Sequence, residues 1–99
     1  MNAQFYKGRD NSVTLTLTNN GVPVAPASIT KLEFKFDGGA IDSVADPAVF
    51  AFGPTSIRLN FGDSDLPEGT YQMMMIVYSA DYPDGVVWAE QLWFLIKHG

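Results

Sequence analysis

The sequence predicts an all-β fold, an antiparallel β-sandwich of about seven short strands, and three observations carry that prediction. First, nine glycines and six prolines in 99 residues break the chain at Asn20-Gly21, Val22-Pro23, Ala25-Pro26, Gly38-Gly39, Asp46-Pro47, Gly53-Pro54, Glu68-Gly69 and Asp84-Gly85. Those breaks leave little room for a helix longer than about two or three turns. Second, the apolar residues between the breaks recur with the alternation of a half-buried strand rather than the spacing of a helix face. Third, turn signals arrive about every 8–12 residues, the rhythm of short strands in a sandwich.

The strands follow in chain order. Residues 5–7 form a short candidate. Residues 12–18 alternate throughout, with Val13, Leu15 and Leu17 on one face and Ser12, Thr14, Thr16 and Thr18 on the other. Residues 22–24 are a second short candidate. In residues 31–36 the apolar Leu32, Phe34 and Phe36 face one way and the charged Lys31, Glu33 and Lys35 the other. Residues 40–44 and 48–52 are further short candidates, and residues 56–61 place Ile57, Leu59 and Phe61 on one face. Residues 70–79 and 86–97 are nearly continuous apolar runs joined by Ala80-Asp81-Tyr82-Pro83-Asp84-Gly85. A proline at the first central position and a glycine at the end suit a type I turn closed by a left-handed glycine, and so a long hairpin. The expected core comprises Val13, Leu15, Leu17, Leu32, Phe34, Phe36, Ile57, Leu59, Phe61, Tyr71, Met73, Met75 and Val77.

Composition narrows the function. At 46% apolar and 17% charged the chain reads as one ordered globular domain, residues 1–99. Eleven acidic against six basic residues, a net charge of −5, disfavour a nucleic-acid partner. No signal-peptide pattern opens the chain and no run of about 18 apolar residues occurs, so no membrane partner is expected and a cytoplasmic origin is. With no cysteine and a single histidine, thiol chemistry, disulfides and zinc clusters are not available. His98 stands next to the last residue, a poor place for a catalytic triad. Asp63, Asp65 and Glu68 fall within six residues but lack the ligand alternation and central glycine of a calcium loop, so a turn whose aspartates accept nearby backbone N–H groups is expected instead. Glu90 sits among apolar neighbours and is read as a strand-edge or bulge residue reaching water. No glycine-rich phosphate loop is present. The expectation is a non-enzymatic protein with no metal and no cofactor.

One face stands out. In residues 70–79 the core-facing set Tyr71, Met73, Met75 and Val77 leaves Gln72, Met74, Ile76 and Tyr78 on the outside, where a sandwich in water carries polar residues. In the partner strand Trp88, Leu92, Phe94 and Ile96 point one way and Val87, Ala89, Trp93 and Leu95 the other. Large apolar side chains therefore face outward in any register. Either the segment 40–52 folds over them or another subunit does, and a protein partner is favoured, with Met74, Ile76, Tyr78 and Trp93 as interface anchors. The alternative is a carbohydrate-binding platform made of Trp88, Trp93 and Tyr82, with Tyr78 close by.

The order of motifs resembles a known group. Tyr6-Lys7-Gly8-Arg9-Asp10-Asn11-Ser12-Val13-Thr14-Leu15-Thr16-Leu17-Thr18, then Asn20-Gly21-Val22-Pro23-Val24, then the alternating residues 29–36, is similar to the opening of small immunoglobulin-like domains in tailed-phage baseplate and tail proteins. Asp65-Leu66-Pro67-Glu68-Gly69-Thr70-Tyr71 resembles their Leu-Pro-x-Gly-x-Tyr corner before a long strand. The resemblance implies an immunoglobulin-like sandwich in which Tyr71 buries its ring and caps a backbone group with its hydroxyl. It also implies a structural subunit of a virion, in tail, baseplate, neck or capsid decoration. Such a subunit is assembled in the host cytoplasm and partnered by other virion proteins and copies of itself.

Overall fold

The computed structural model describes residues 2–99. Its strands are β1 (Asn2–Tyr6), β2 (Val13–Leu15), β3 (Thr18–Asn19), β4 (Val22–Pro23), β5 (Ile29–Phe36), β6 (Gly39–Asp42), β7 (Phe50–Phe52), β8 (Ile57–Leu59), β9 (Gly69–Ser79) and β10 (Val86–Lys97). Single turns of 3-10 helix occupy Pro26–Ser28, Pro47–Val49 and Phe61–Asp63, and no α-helix occurs among the described residues. A five-stranded sheet in the order β1-β10-β9-β5-β6 packs against a three-stranded sheet in the order β2-β8-β7, while β3 and β4 form a separate ribbon.

This arrangement is an immunoglobulin-like sandwich. Taking β2, β5, β7, β8, β9 and β10 as the strands B, C, D, E, F and G of that fold reproduces both sheets, B-E-D facing G-F-C. Tyr71 supplies a second mark of the fold. Near the start of β9, its hydroxyl donates to the carbonyl of Pro67 at 2.6 Å, the tyrosine-corner bond. All strand pairs are antiparallel except β1 with β10, which runs parallel from Asn2↔Trp93 to Tyr6↔Lys97. β1 thus begins on the edge of the last strand and directs Ala3 and Phe5 into the core. The chain then crosses to the other sheet at Gly8, whose N–H donates to the carbonyl of Gly62 at 3.0 Å.

Phe61 forms the centre of the core. Its ring lies 5.2 Å from Phe5, 5.4 Å from Phe34, 6.3 Å from Phe50 and 4.9 Å from Phe94, so one side chain touches strands of both sheets. Ten of the thirteen expected core residues are buried; Val13, Phe36 and Tyr71 are half-buried against them. Phe5, Ile29, Ile41, Val49, Phe50 and Leu66 complete the core from the short segments, and Leu92, Phe94 and Ile96 complete it from the last strand.

Several boundaries differ from the sequence reading. Residues 12–18 keep their alternating burial, but β2 stops at Leu15 because β8 offers only three partners, and the Leu17 carbonyl accepts instead from Val24 N–H at 2.8 Å. β6 stops at Asp42, whose Oδ1 accepts from the N–H groups of Val44 and Ala45 at 2.9 and 2.8 Å and turns the chain. The first half of residues 48–52 belongs to the Pro47–Val49 turn. The final hairpin closes as expected, with Gly85 N–H donating to the Tyr82 carbonyl at 3.1 Å and Gly85 at φ +85°.

Candidate functional site

β10 does not run straight along β9. Register shifts fall between Val87 and Ala89 and again between Ala89 and Leu92, each adding one residue to β10, and Gln91 adopts φ +57°. These bulges re-aim the strand. Trp88 and Ala89 both pack against the core, Glu90 and Gln91 reach solvent, and Val87 and Trp93 face out. Ala89 therefore leaves the outward set in which simple alternation places it. Glu90 is the exposed bulge residue the sequence suggested.

On the outer face of the five-stranded sheet, β9 contributes half-buried Met74, Ile76 and Tyr78, and β10 contributes Val87 (50% exposed), Trp93 (46% exposed) and half-buried Leu95. Val87 pairs with Ile76, which makes the stripe continuous across the two strands at that end. β5 flanks it with Lys31, Glu33 and Lys35, paired with Tyr78, Ile76 and Met74 respectively. On the far side lie exposed Asn2 and Gln4 of β1. Where β10 bulges, a groove of about 370 Å³ opens beside Met74, lined also by Lys35, Phe36, Glu90 and Gln91.

The four expected anchors are not equivalent. Trp93 is the most open. Ile76 and Tyr78 lie so close to the hairpin turn that a Cβ on Gly85 would meet Ile76 Cγ2 at 2.7 Å and the Tyr78 ring at 2.8 Å. Tyr78 is also held in place: its hydroxyl donates to Glu33 Oε1 at 2.8 Å and the Lys31 ammonium lies 4.3 Å from its ring centroid. The hydrogen bond to Glu33, then partial burial, then the negative charges of Glu33 and Asp42 raise its pKa above the usual phenol value. Val87 is the exposed residue that the four-anchor reading left out; its signal was its place in the apolar run 86–97 on the outward side of the alternation, and its pairing with Ile76 is visible only in the fold.

The segment 40–52 takes another course. It leaves the five-stranded sheet as β6 and enters the three-stranded sheet as β7, burying Ile41, Val49 and Phe50 between the sheets. Phe50 stacks 6.0 Å from Phe34. Those side chains fill the core and leave the outer stripe uncovered by this segment.

The carbohydrate platform is divided. Trp88 and Tyr82 line one cleft at the end of the sandwich, whereas Trp93 stands over the β1 side with Asn2, Gln4 and Leu95, and Tyr78 is engaged with Glu33 and Lys31. The segment 63–68 is a turn, but Ser64 makes its backbone bonds: its hydroxyl donates to the Phe61 carbonyl at 2.6 Å and accepts from Leu66 N–H at 3.3 Å. Asp63 accepts instead from the Asn60 side-chain amide at 3.0 Å. Lys7 spans to the same turn and donates to the carbonyls of Ser64 and Leu66 at 2.7 and 2.9 Å. His98 is exposed and pairs with Glu68 at 3.5 Å. Among the described residues no group of three or more metal-ligating side chains converges, and no helix is long and apolar enough to cross a membrane.

Comparison with protein-family models, with curated proteins and with solved structures finds no match in any of the three. The chain is thus placed by its own strand order and tyrosine corner, as an immunoglobulin-like β-sandwich with an apolar outer face on its larger sheet.

Proposed function

We propose that this protein is a non-enzymatic structural subunit that acts through protein–protein assembly, and that its setting is a phage particle, as a tail, baseplate, neck or capsid-decorating component. The observation that carries the reading is the outer stripe of Met74, Ile76, Val87, Trp93 and Leu95 on the two longest strands. In residues 12–17 and 57–59 the outer positions are polar, with Ser12, Thr14, Thr16 and Arg58 exposed while Leu15, Leu17, Ile57 and Leu59 are buried. The exposed Val22, Val44 and Phe52 stand on short segments away from the stripe. The outer face sets Met74, Ile76 and Val87 towards the hairpin turn and Trp93 and Leu95 towards the other end. Gln72, Glu90 and Gln91 lie between them and Lys35 along one side, a mixture of apolar anchors and polar groups that suits a protein interface. Trp93 and Met74 are suited to the anchor role, the one large and stiff and the other adaptable.

The virion setting rests on the resemblance of the Lys7-Gly8 lead-in, the Asn20-Gly21 turn and the Leu66-Pro67-Glu68-Gly69-Thr70-Tyr71 corner to small phage baseplate and tail domains. Mass spectrometry of particles purified from the phage or prophage that encodes the chain tests it. Recovery at a stoichiometry of many copies per particle is the expected result. Particles that form and infect without the chain, or a coding region set among metabolic genes, would overturn it.

A further inference from the structure

We propose a second site, a binding cleft for a neutral saccharide at the end of the sandwich where the β3–β4 ribbon faces the turn of the β9–β10 hairpin. The cleft is open to solvent on one side and has a volume of about 540 Å³, within the range of small-molecule sites. Buried Ile29 and Val77 contribute to its lining, as do the aromatic residues Trp88 and Tyr82, the amide residues Asn19 and Asn20, and the hydroxyl residues Ser28 and Ser79.

What selects the ligand class is charge. None of the twelve lining residues carries a charge at neutral pH, in a chain where 17% of residues are charged. A phosphate, carboxylate or ammonium group brought into this cleft would lose water and gain no counter-charge, a costly exchange. A sugar needs no such partner. Its C–H faces pack on aromatic rings, and its hydroxyls exchange hydrogen bonds with amide and hydroxyl groups that both donate and accept. The Ser28 hydroxyl already donates to the Ala25 carbonyl at 2.7 Å, which leaves it an acceptor for a sugar hydroxyl.

The walls are set before a ligand arrives. Asn20 at φ +52° and Gly21 at φ +80° fix the ribbon turn. On the other side Ser79 and Tyr82 exchange backbone hydrogen bonds, at 3.3 and 3.1 Å, which fix the approach to the hairpin turn. Preformed walls reduce the ordering cost of binding. Val87 of the outer stripe also borders this cleft, so the two surfaces meet there; Trp93, the open ring of the assembly face, is not among the lining residues and serves to tell binding at the cleft from binding at that face.

The two tryptophans make the test internally controlled. The isotope-labelled full chain is titrated with maltotriose, cellotriose, chitotriose and mannotriose, and with 3′-sialyllactose as a charged comparator, while amide and indole N–H signals are followed by NMR. At least one neutral sugar is expected to shift the Trp88 indole and the Asn19, Asn20 and Ser79 amides saturably, with the Trp93 indole unmoved. Tyr82→Ala, at a side chain 61% exposed, is expected to keep the fold and weaken binding about fivefold or more. Asn20→Gly, which tolerates the positive φ, is expected to keep the turn and also weaken binding. The proposal is overturned if no neutral sugar shifts these signals at about 20 mM. It is also overturned if only the sialylated sugar does, if the Trp93 signal moves in place of Trp88, or if Tyr82→Ala binds as the wild type does.

Discussion

The hydroxyl of Tyr78 on β9 donates to the carboxylate of Glu33 on β5 at 2.8 Å, across the outer face of the larger sheet. The bond and the Lys31 ammonium over the ring fix the boundary between the apolar stripe and the charged row of β5. A phenol bonded to a carboxylate loses that bond on ionisation and acquires a like-charge neighbour, so its pKa lies above the ordinary phenol value in the folded chain. The folded state therefore holds this proton more tightly than the unfolded state. The stabilisation is fully present below the ordinary phenol range and is lost as pH rises through the folded pKa. Ultraviolet difference titration of wild type against Tyr78→Phe is expected to show Tyr78 ionising above that range. Glu33→Gln is expected to lower its pKa; an unchanged value would separate the shift from Glu33.

Gly85 carries two constraints at once, a φ of +85° and contact with Ile76 and Tyr78. Gly38 has φ +96° and open space where its Cβ would be. Urea denaturation of Gly38→Ala is expected to show a loss of about 1 kcal/mol from backbone strain alone. Gly85→Ala is expected to lose about 2–4 kcal/mol, since steric displacement of two side chains adds to that strain. Equal losses at the two positions would mean that the hairpin turn does not rest on Ile76 and Tyr78.

Phe61 is fully buried and its ring is packed by four other phenylalanines. Phe61→Ala is expected to cost about 3–5 kcal/mol in equilibrium unfolding. Phe52→Ala, at a side chain 40% exposed, is expected to cost well under half as much. The alternation of residues 56–61 placed Phe61 inward but could not show its centrality, because that depends on Phe5, Phe50 and Phe94 arriving from three distant segments.

Lys7 bridges the lead-in before β2 to the turn before β9 through the carbonyls of Ser64 and Leu66. Lys7→Met keeps the aliphatic stem and removes the charged donor, with an expected loss of about 1.5–3 kcal/mol. Amide exchange in residues 61–66 is expected to quicken in parallel. Unchanged protection there would show that the ammonium does not hold the turn.

The sequence made the sandwich legible wherever a strand has one wet face. Leu15, Leu17, Leu32, Phe34, Ile57 and Leu59 are buried as their alternation requires. It was silent where pairing rather than pattern decides the outcome. The parallel seat of β1 on β10 depends on an edge left free by the final strand, and the end of β2 depends on how short β8 is. The outer stripe was readable because apolar residues stand on both faces of residues 70–79. Its exact membership was not, since the bulges around Ala89 and Gln91 turn Ala89 inward and leave Val87 beside Ile76. The cleft between the ribbon and the hairpin turn was the least legible of all: Trp88 and Tyr82 are near in sequence, but Asn19 and Asn20 reach them only through the folded ribbon.

Assembly through the outer face is tested most directly by sedimentation velocity of the wild type and of a Met74→Lys, Trp93→Lys double variant over about 1–500 μM. Met74 and Trp93 lie away from the hairpin-turn contact that constrains Ile76 and Tyr78, so the variant is expected to retain the wild-type near-ultraviolet circular dichroism outside the Trp93 contribution. The wild type is expected to sediment faster as concentration rises, and the variant to remain a monomer throughout. A wild type that stays monomeric across the range, or a folded variant that associates as the wild type does, would contradict assembly through this face.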